Sequence, residues 1–256
     1  MASGSDREGG RLRWLDCNAR IGAWSNPQPE QFMDAAGLTD AWDRVGIEGG
    51  LVYHAWGWEW SPARANEMLL EEVAAEPRMR PCYVALPHAT HEMEPVLRFA
   101  AQVRQSRGAV RIFPAKHGWS TQDWCAGALF DALQSTSVPL LVDITQVSWD
   151  AIAGICAGHP RLNVIVLETF YRVDRMVYPL MERYPKLHLE ANTYAPFLGP
   201  EGIVSNFGAE RLVFGTAMPE LDAGGPMALV SYADVSEEDR AKIAGGNLLR
   251  LLGEEE

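Results

Sequence analysis

Cysteine is scarce and scattered in this chain. Four cysteines occur in 256 residues, and none forms a C-x-x-C pair. That excludes a disulfide framework and a thiolate zinc site. Cys17, Cys82 and Cys156 sit in apolar runs, so they read as reduced core thiols. No apolar run approaches the roughly 18 residues of a membrane span, and no basic run is present. A formal net charge of -12 excludes nonspecific binding to nucleic acid or to an anionic membrane, because both need a basic face. Residues 1–10 are polar and glycine-rich, without the apolar stretch of a signal peptide, and read as a disordered leader. A cytoplasmic location is the expectation from these absences. Gly224-Gly225 and Gly245-Gly246 follow no strand in the nucleotide-binding order, so they are not phosphate loops. Gly118-Trp119-Ser120 lacks the second glycine of a nucleophile elbow.

What the chain does contain is a repeating unit. Compact apolar runs at Leu12–Cys17, Gly50–His54, Met79–Leu86, Ala109–Phe113, Pro139–Ile144, Asn163–Leu167, Leu187–Ala191 and Arg211–Gly215 read as strands. Between them lie helix-spaced segments, among them Pro29–Ala36, a second helix capped by Thr39, Pro62–Ala75 and Met93–Arg107. Near-continuous apolar strands alternating with helices imply a parallel sheet covered on its outside. Eight such units in this length fit one closed (β/α)8 TIM barrel over residues 11–253, an α/β fold with short extra helices at the C-terminus.

In such a barrel, chemistry lies at the C-terminal ends of the strands. Those ends here carry Asp16, Asn18 and Arg20, then His54, then His88 and His91, then Lys116 and His117. Further on come Asp143, Glu168, Glu190 with Asn192, and Thr216 to Met218. Strand alternation predicts that Asp16, Asn18 and Arg20 share one side. Asp143, Glu168 and Glu190 directly terminate apolar strands, where a charge is costly unless paired or ligated. Trp56, Trp58 and Trp60, with Trp119 and Trp124, either wall an apolar pocket or form an oligomer contact.

Three stretches carry a resemblance. Asp16 to Gly22 (D-C-N-A-R-I-G) is similar to the first-strand motif D-x-H-x-H-x-G of the amidohydrolase-related barrels, the branch with decarboxylases and lactone hydrolases. Arg211 to Pro219 (R-L-V-F-G-T-A-M-P) resembles their last-strand R-x-x-F-G-[ST]-D-x-P, and Gly246 to Leu252 resembles their closing G-N-x-x-R-L-L. The resemblance implies a metal-dependent hydrolase or lyase. Its metal-binding positions, however, correspond here to Asn18, Arg20, Asp143, Glu168 and Ala217. Asparagine is a poor ligand for a transition metal, a guanidinium is none, and alanine has no donor atom.

The reading that follows is a hydrolase or lyase for a small carboxylated substrate, without the family's metal and with no cofactor expected. Arg20, Asp143 and Glu168 are the catalytic candidates, and Arg20 is expected to face the two acids and anchor an anion. Asn18, His54, Trp56, Lys116, His117 and Asn192 are the candidates for binding substrate. Three alternatives stay open. The Arg–Asp–Glu cluster can be a salt bridge filling the former metal cavity, and the barrel can be a non-catalytic binding or assembly protein. A zinc or manganese site can also have moved to His54, His88, His91 and His117. Expected partners are a small-molecule substrate and a second copy of the chain, with no nucleic acid or membrane.

Overall fold

The structure is a computed structural model that describes residues 12–26, 31 and 34–254. Eight parallel strands follow one another around a barrel in sequence order. They are β1 (Trp14–Ile21), β2 (Ile47–His54), β3 (Met79–Val84), β4 (Ala109–Ile112), β5 (Leu140–Asp143), β6 (Val164–Leu167), β7 (Leu187–Glu190) and β8 (Leu212–Val213). β1 and β8 complete the ring through Cys17 N–H donating to Phe214 O at 3.0 Å and Arg20 N–H to Met218 O at 2.9 Å. Helices fill the connections, as expected of a TIM barrel. Among the described residues no helix is long and apolar enough to cross a membrane.

Alternation along each strand divides the apolar residues into two layers. In β4, Val110 and Ile112 pack outward under the helices, while Ala109 and, just beyond the strand, Phe113 face the barrel interior. In β5 and β6, Leu141, Ile165 and Leu167 face inward while Leu140, Val142, Val164 and Val166 face the helices. Both faces of each strand are therefore buried, which is why the strands read as continuous apolar runs. The same alternation sends Arg111, the one charged residue of β4, into the interior.

The end of the barrel opposite the strand C-termini is closed by the helix Asn247–Leu252, whose leucines join the interior layer. Asn247 Nδ2 donates to the carbonyls of Ala209 and Leu212, both at 2.8 Å. Arg211 donates to the carbonyls of Leu187 and Tyr184 at 2.7 and 2.8 Å. The arginine and asparagine of the two closing motifs are thus braces for backbone carbonyls.

Three local expectations change. The segments around Gly37 and Thr39 form one helix, Ala35–Val45, because Asp34 caps it by accepting from Gly37 N–H at 2.8 Å. Gly37 lies inside that first turn, so it does not stop the helix, and Thr39 does not start one. Half of the expected helix Pro29–Ala36 and all of the leader 1–10 lie outside the described residues. Finally, β1 does not keep a strict period of two. Its pairing with β2 shifts between Asp16 and Ala19, as at a β-bulge. Leu15 and Cys17 face inward, then Arg20 does, and Asp16 is turned away from the interior. Asp16 instead clamps β1 to β8, accepting from Asn18 N–H at 2.9 Å, from Thr216 N–H at 3.0 Å and from the Thr216 hydroxyl.

Candidate active site

A cavity of about 440 Å³ opens at the C-terminal end of the strands. Asn18, Arg20, Asp143 and Glu168 all line it, so the structure brings together four of the residues singled out from sequence. Arg111 also lines it, and sequence reasoning missed that residue. The signal was an arginine inside the four-residue apolar strand Ala109–Ile112.

The expected ion pairing is redistributed. Arg20 does not face the two acids. Its Nε donates to Glu220 Oε1 at 2.6 Å, and its guanidinium lies 4.4 Å from the ring centre of Trp24. Trp24 Nε1 donates to the same Glu220 oxygen at 2.6 Å. Arg20 still lines the cavity beside Asn18, but its partner is Glu220 on the loop after β8. Arg111 is the cation beside the acids, with Nη2 at 3.6 Å from Asp143 and 4.0 Å from Glu168. Those separations are ion pairs without hydrogen bonds. Nη1 donates to Asn18 Oδ1 at 2.7 Å, and the guanidinium lies 4.5 and 5.0 Å from the ring centres of Tyr53 and Phe113. Burial opposes its charge, yet Tyr53, Asp143 and Glu168 together hold Arg111 protonated beyond its ordinary range.

The acids differ in surroundings. Asp143 accepts from Thr145 N–H at 2.8 Å and from its hydroxyl at 2.7 Å. Glu168 follows β6 in a left-handed conformation, φ 57°. Burial raises its carboxyl above the ordinary range, Asp143 adds to the rise, and Arg111 partly offsets it. Glu190 is fully buried at the end of β7 and accepts from Asn18 Nδ2 at 2.8 Å and from Glu168 N–H at 3.1 Å. Burial pushes Glu190 up to about 8.

The last value fixes the sign of a pH effect. Glu190 holds its proton in the folded chain over a range where the unfolded chain has lost it. Stability from this group is therefore complete below the ordinary glutamate value of 4.5 and falls as pH rises toward about 8. Urea unfolding should show stability dropping from pH 5 to pH 8, at most about 1.4 kcal/mol per pH unit. Glu190→Gln should remove most of that slope; an unchanged slope would mean that Glu190 is not the group responsible.

The other candidates stand behind the cavity. His54 is buried and held neutral, lowered to about 4 by burial and then by Arg20; its Nδ1 accepts from Trp56 N–H at 3.2 Å. Gly22, at φ 84°, makes room for that ring, since a Cβ there would lie 2.6 Å from it. Trp56 stacks edge-on against His54 and lines no part of the cavity. Trp58 does line it, backed by Lys116 Nζ at 5.5 Å from its ring centre and by His117 Nε2 at 3.2 Å from its carbonyl. Asn192 lies outside the lining. Of the other tryptophans, Trp60 and Trp119 border a separate groove and Trp124 is exposed.

The amidohydrolase family model matches residues 15–253, nearly the whole described chain. The chain belongs to the amidohydrolase family. Solved structures similar to this chain include 5-carboxyvanillate decarboxylase LigW from Sphingomonas paucimobilis, with a TM-score of 0.75 at 14% identity, covering 95% of this chain and 99% of that one. A second is 2,6-dihydroxybenzoate decarboxylase from Rhizobium, with a TM-score of 0.72 at 16% identity, covering 95% and 99%. A third is 5-carboxyvanillate decarboxylase from Novosphingobium aromaticivorans complexed with manganese and 4-hydroxy-3-methoxy-5-nitrobenzoic acid, with a TM-score of 0.74 at 12% identity, covering 96% and 97%. At these identities the likeness shows the fold. No curated protein matches the chain.

Manganese bound in the third of these and in two further solved neighbours corrects the expectation of no cofactor, because it points to a metal cofactor in this family. The residues here do not fit that ion. Both polar atoms of the Asn18 amide are engaged, by Arg111 and by Glu190, and Arg20 is a cation where a ligand would stand. Ala217 offers no donor atom, and among the described residues no three His, Cys, Asp or Glu side chains are grouped to hold a metal. The relocated set is not assembled either. His88 and His91 border one cavity, His117 borders another, and His54 borders neither. No chemical step is drawn through a metal.

Proposed function

We propose that this member of the amidohydrolase family is a lyase that removes CO2 from a small aromatic carboxylate. The observation that carries the reading is Arg111, a buried cation between two rings, with Nη2 held beyond hydrogen-bond reach of both acids. One edge of its guanidinium is therefore left for a ligand carboxylate, and the rings of Tyr53, Trp58 and Phe113 suit an aromatic ring beside it. The cavity has the size for one substituted ring. Arg20, fixed by Glu220, supplies the second positive charge. Glu168, whose carboxyl is raised, donates its proton to the ring carbon. The electron pair of the breaking C–C bond stays on that carbon until the proton arrives, CO2 departs, and water reprotonates Glu168. Burial and then like-charge repulsion from Asp143 raise the Glu168 carboxyl, and Asp143 orients a substrate hydroxyl. The neighbours' activities on 5-carboxyvanillate and 2,6-dihydroxybenzoate support the choice of substrate class.

A panel of hydroxybenzoates and carboxyvanillates labelled with ¹³C at the carboxyl, assayed with and without added manganese, tests this. Labelled CO2 is expected from at least one compound, with a solvent deuteron in the vacated ring position when D2O is used. Binding without CO2 from any compound would sink the catalytic reading.

A further inference from the structure

Glu190 does not itself line the cavity, yet both groups of the proposed reaction hang from it. Its Oε1 accepts from Asn18 Nδ2 at 2.8 Å, and Asn18 Oδ1 in turn accepts from Arg111 Nη1 at 2.7 Å. Its Oε2 accepts from the backbone N–H of Glu168 at 3.1 Å. A guanidinium only donates, so the Asn18 amide must turn its oxygen to Arg111 and its nitrogen to an acceptor. Only an acceptor behind Asn18 fixes that orientation; a flipped amide would set two donors face to face. Glu168 needs its own restraint, since a non-glycine residue at φ 57° sits in a sparsely populated conformation. Glycine at 215 leaves the carboxyl its space, because a Cβ there would lie 2.3 Å from Glu190 Oε1.

We infer that Glu190 is a positioning residue whose two oxygens hold the Arg111 anchor, through Asn18, and the Glu168 proton donor, through its backbone, in one fixed relation. The inference takes the roles of Arg111 and Glu168 from the lyase reading, but its first test needs no substrate. Two variants are informative. Glu190→Gln keeps the size but has one acceptor oxygen, so it cannot receive both N–H groups. Glu190→Asp keeps a carboxyl with two oxygens and draws it back by one methylene, which separates position from the number of acceptors and gives a second chance of a folded protein.

The first measurement is ¹⁵N NMR of arginine side chains, with the Arg111 signals assigned by their loss in Arg111→Lys. In the unmodified protein the two Arg111 Nη signals should be resolved, as for a guanidinium that does not rotate. In both Glu190 variants they should merge while the fold is retained. Unchanged Arg111 signals in a folded Glu190→Gln or Glu190→Asp protein would overturn the inference. The second measurement is turnover of 2,6-dihydroxybenzoate. Both variants should lose at least tenfold in kcat, and Glu190→Gln combined with Asn18→Ala should lose no more than the worse single variant. Multiplying losses would overturn the Asn18 arm. If the unmodified protein neither binds nor turns over the panel above, the lyase reading fails by itself, and the NMR result still decides the role of Glu190.

Discussion

Glu168→Gln is expected to lower CO2 release by about 10²- to 10⁴-fold, the usual worth of a positioned proton donor. Glutamine fills the same space and keeps a polar end, but it has no proton to give at neutral pH. Binding of 2,6-dihydroxybenzoate, read by quenching of the cavity tryptophans Trp24 and Trp58, should stay within a few-fold. The pH profile separates this role from a structural one. A donor must be protonated, so activity should be present on the acid side and fall as pH rises through the raised Glu168 value. The residual activity of the variant should lack that fall. Full turnover in Glu168→Gln would remove the residue from the mechanism.

Arg111→Met should abolish measurable binding of the same probe and destabilise the fold. Methionine replaces the stem but leaves Asp143 and Glu168 facing each other without a cation and Asn18 Oδ1 without its donor. Removing one partner of a buried ion pair costs about 3–5 kcal/mol, and the lower end applies here because the pairs are long and Glu168 is partly exposed. Arg111→Lys should recover part of the stability but little of the binding, since an ammonium lacks the planar fork that meets a carboxylate. Urea unfolding and fluorescence titration on the two variants check both statements. Unimpaired binding in Arg111→Met would move the anchor to Arg20.

Much of the barrel could be read from the chain because each strand is buried on two faces, which leaves an unbroken apolar run. The mouth of the barrel was legible for a related reason. Asn18, Asp143 and Glu168 stand where an apolar run ends, and a polar side chain at that depth has few bland explanations. Two features were not legible. The bulge in β1 is a backbone event with no side-chain mark, and it separates Asp16 from the side that Asn18 and Arg20 share. Arg111 lies within a strand, so a search confined to strand ends passes over it, although a lone charge among Ala109, Val110 and Ile112 was the cue. The support given by His117 and Lys116 to Trp58 is a contact across the fold that no local pattern encodes.

Arg211 and Asn247 tie carbonyls together at the closed end of the barrel, whereas Arg111, Glu168 and Glu190 face the open one. The arginine and asparagine of the two closing motifs therefore report on architecture and are silent on reaction. A lineage built this way can exchange its entire chemical apparatus while its signature persists. These two marks of ancestry stand at the pole opposite the cavity, and a relative that shares them need not share what lines it.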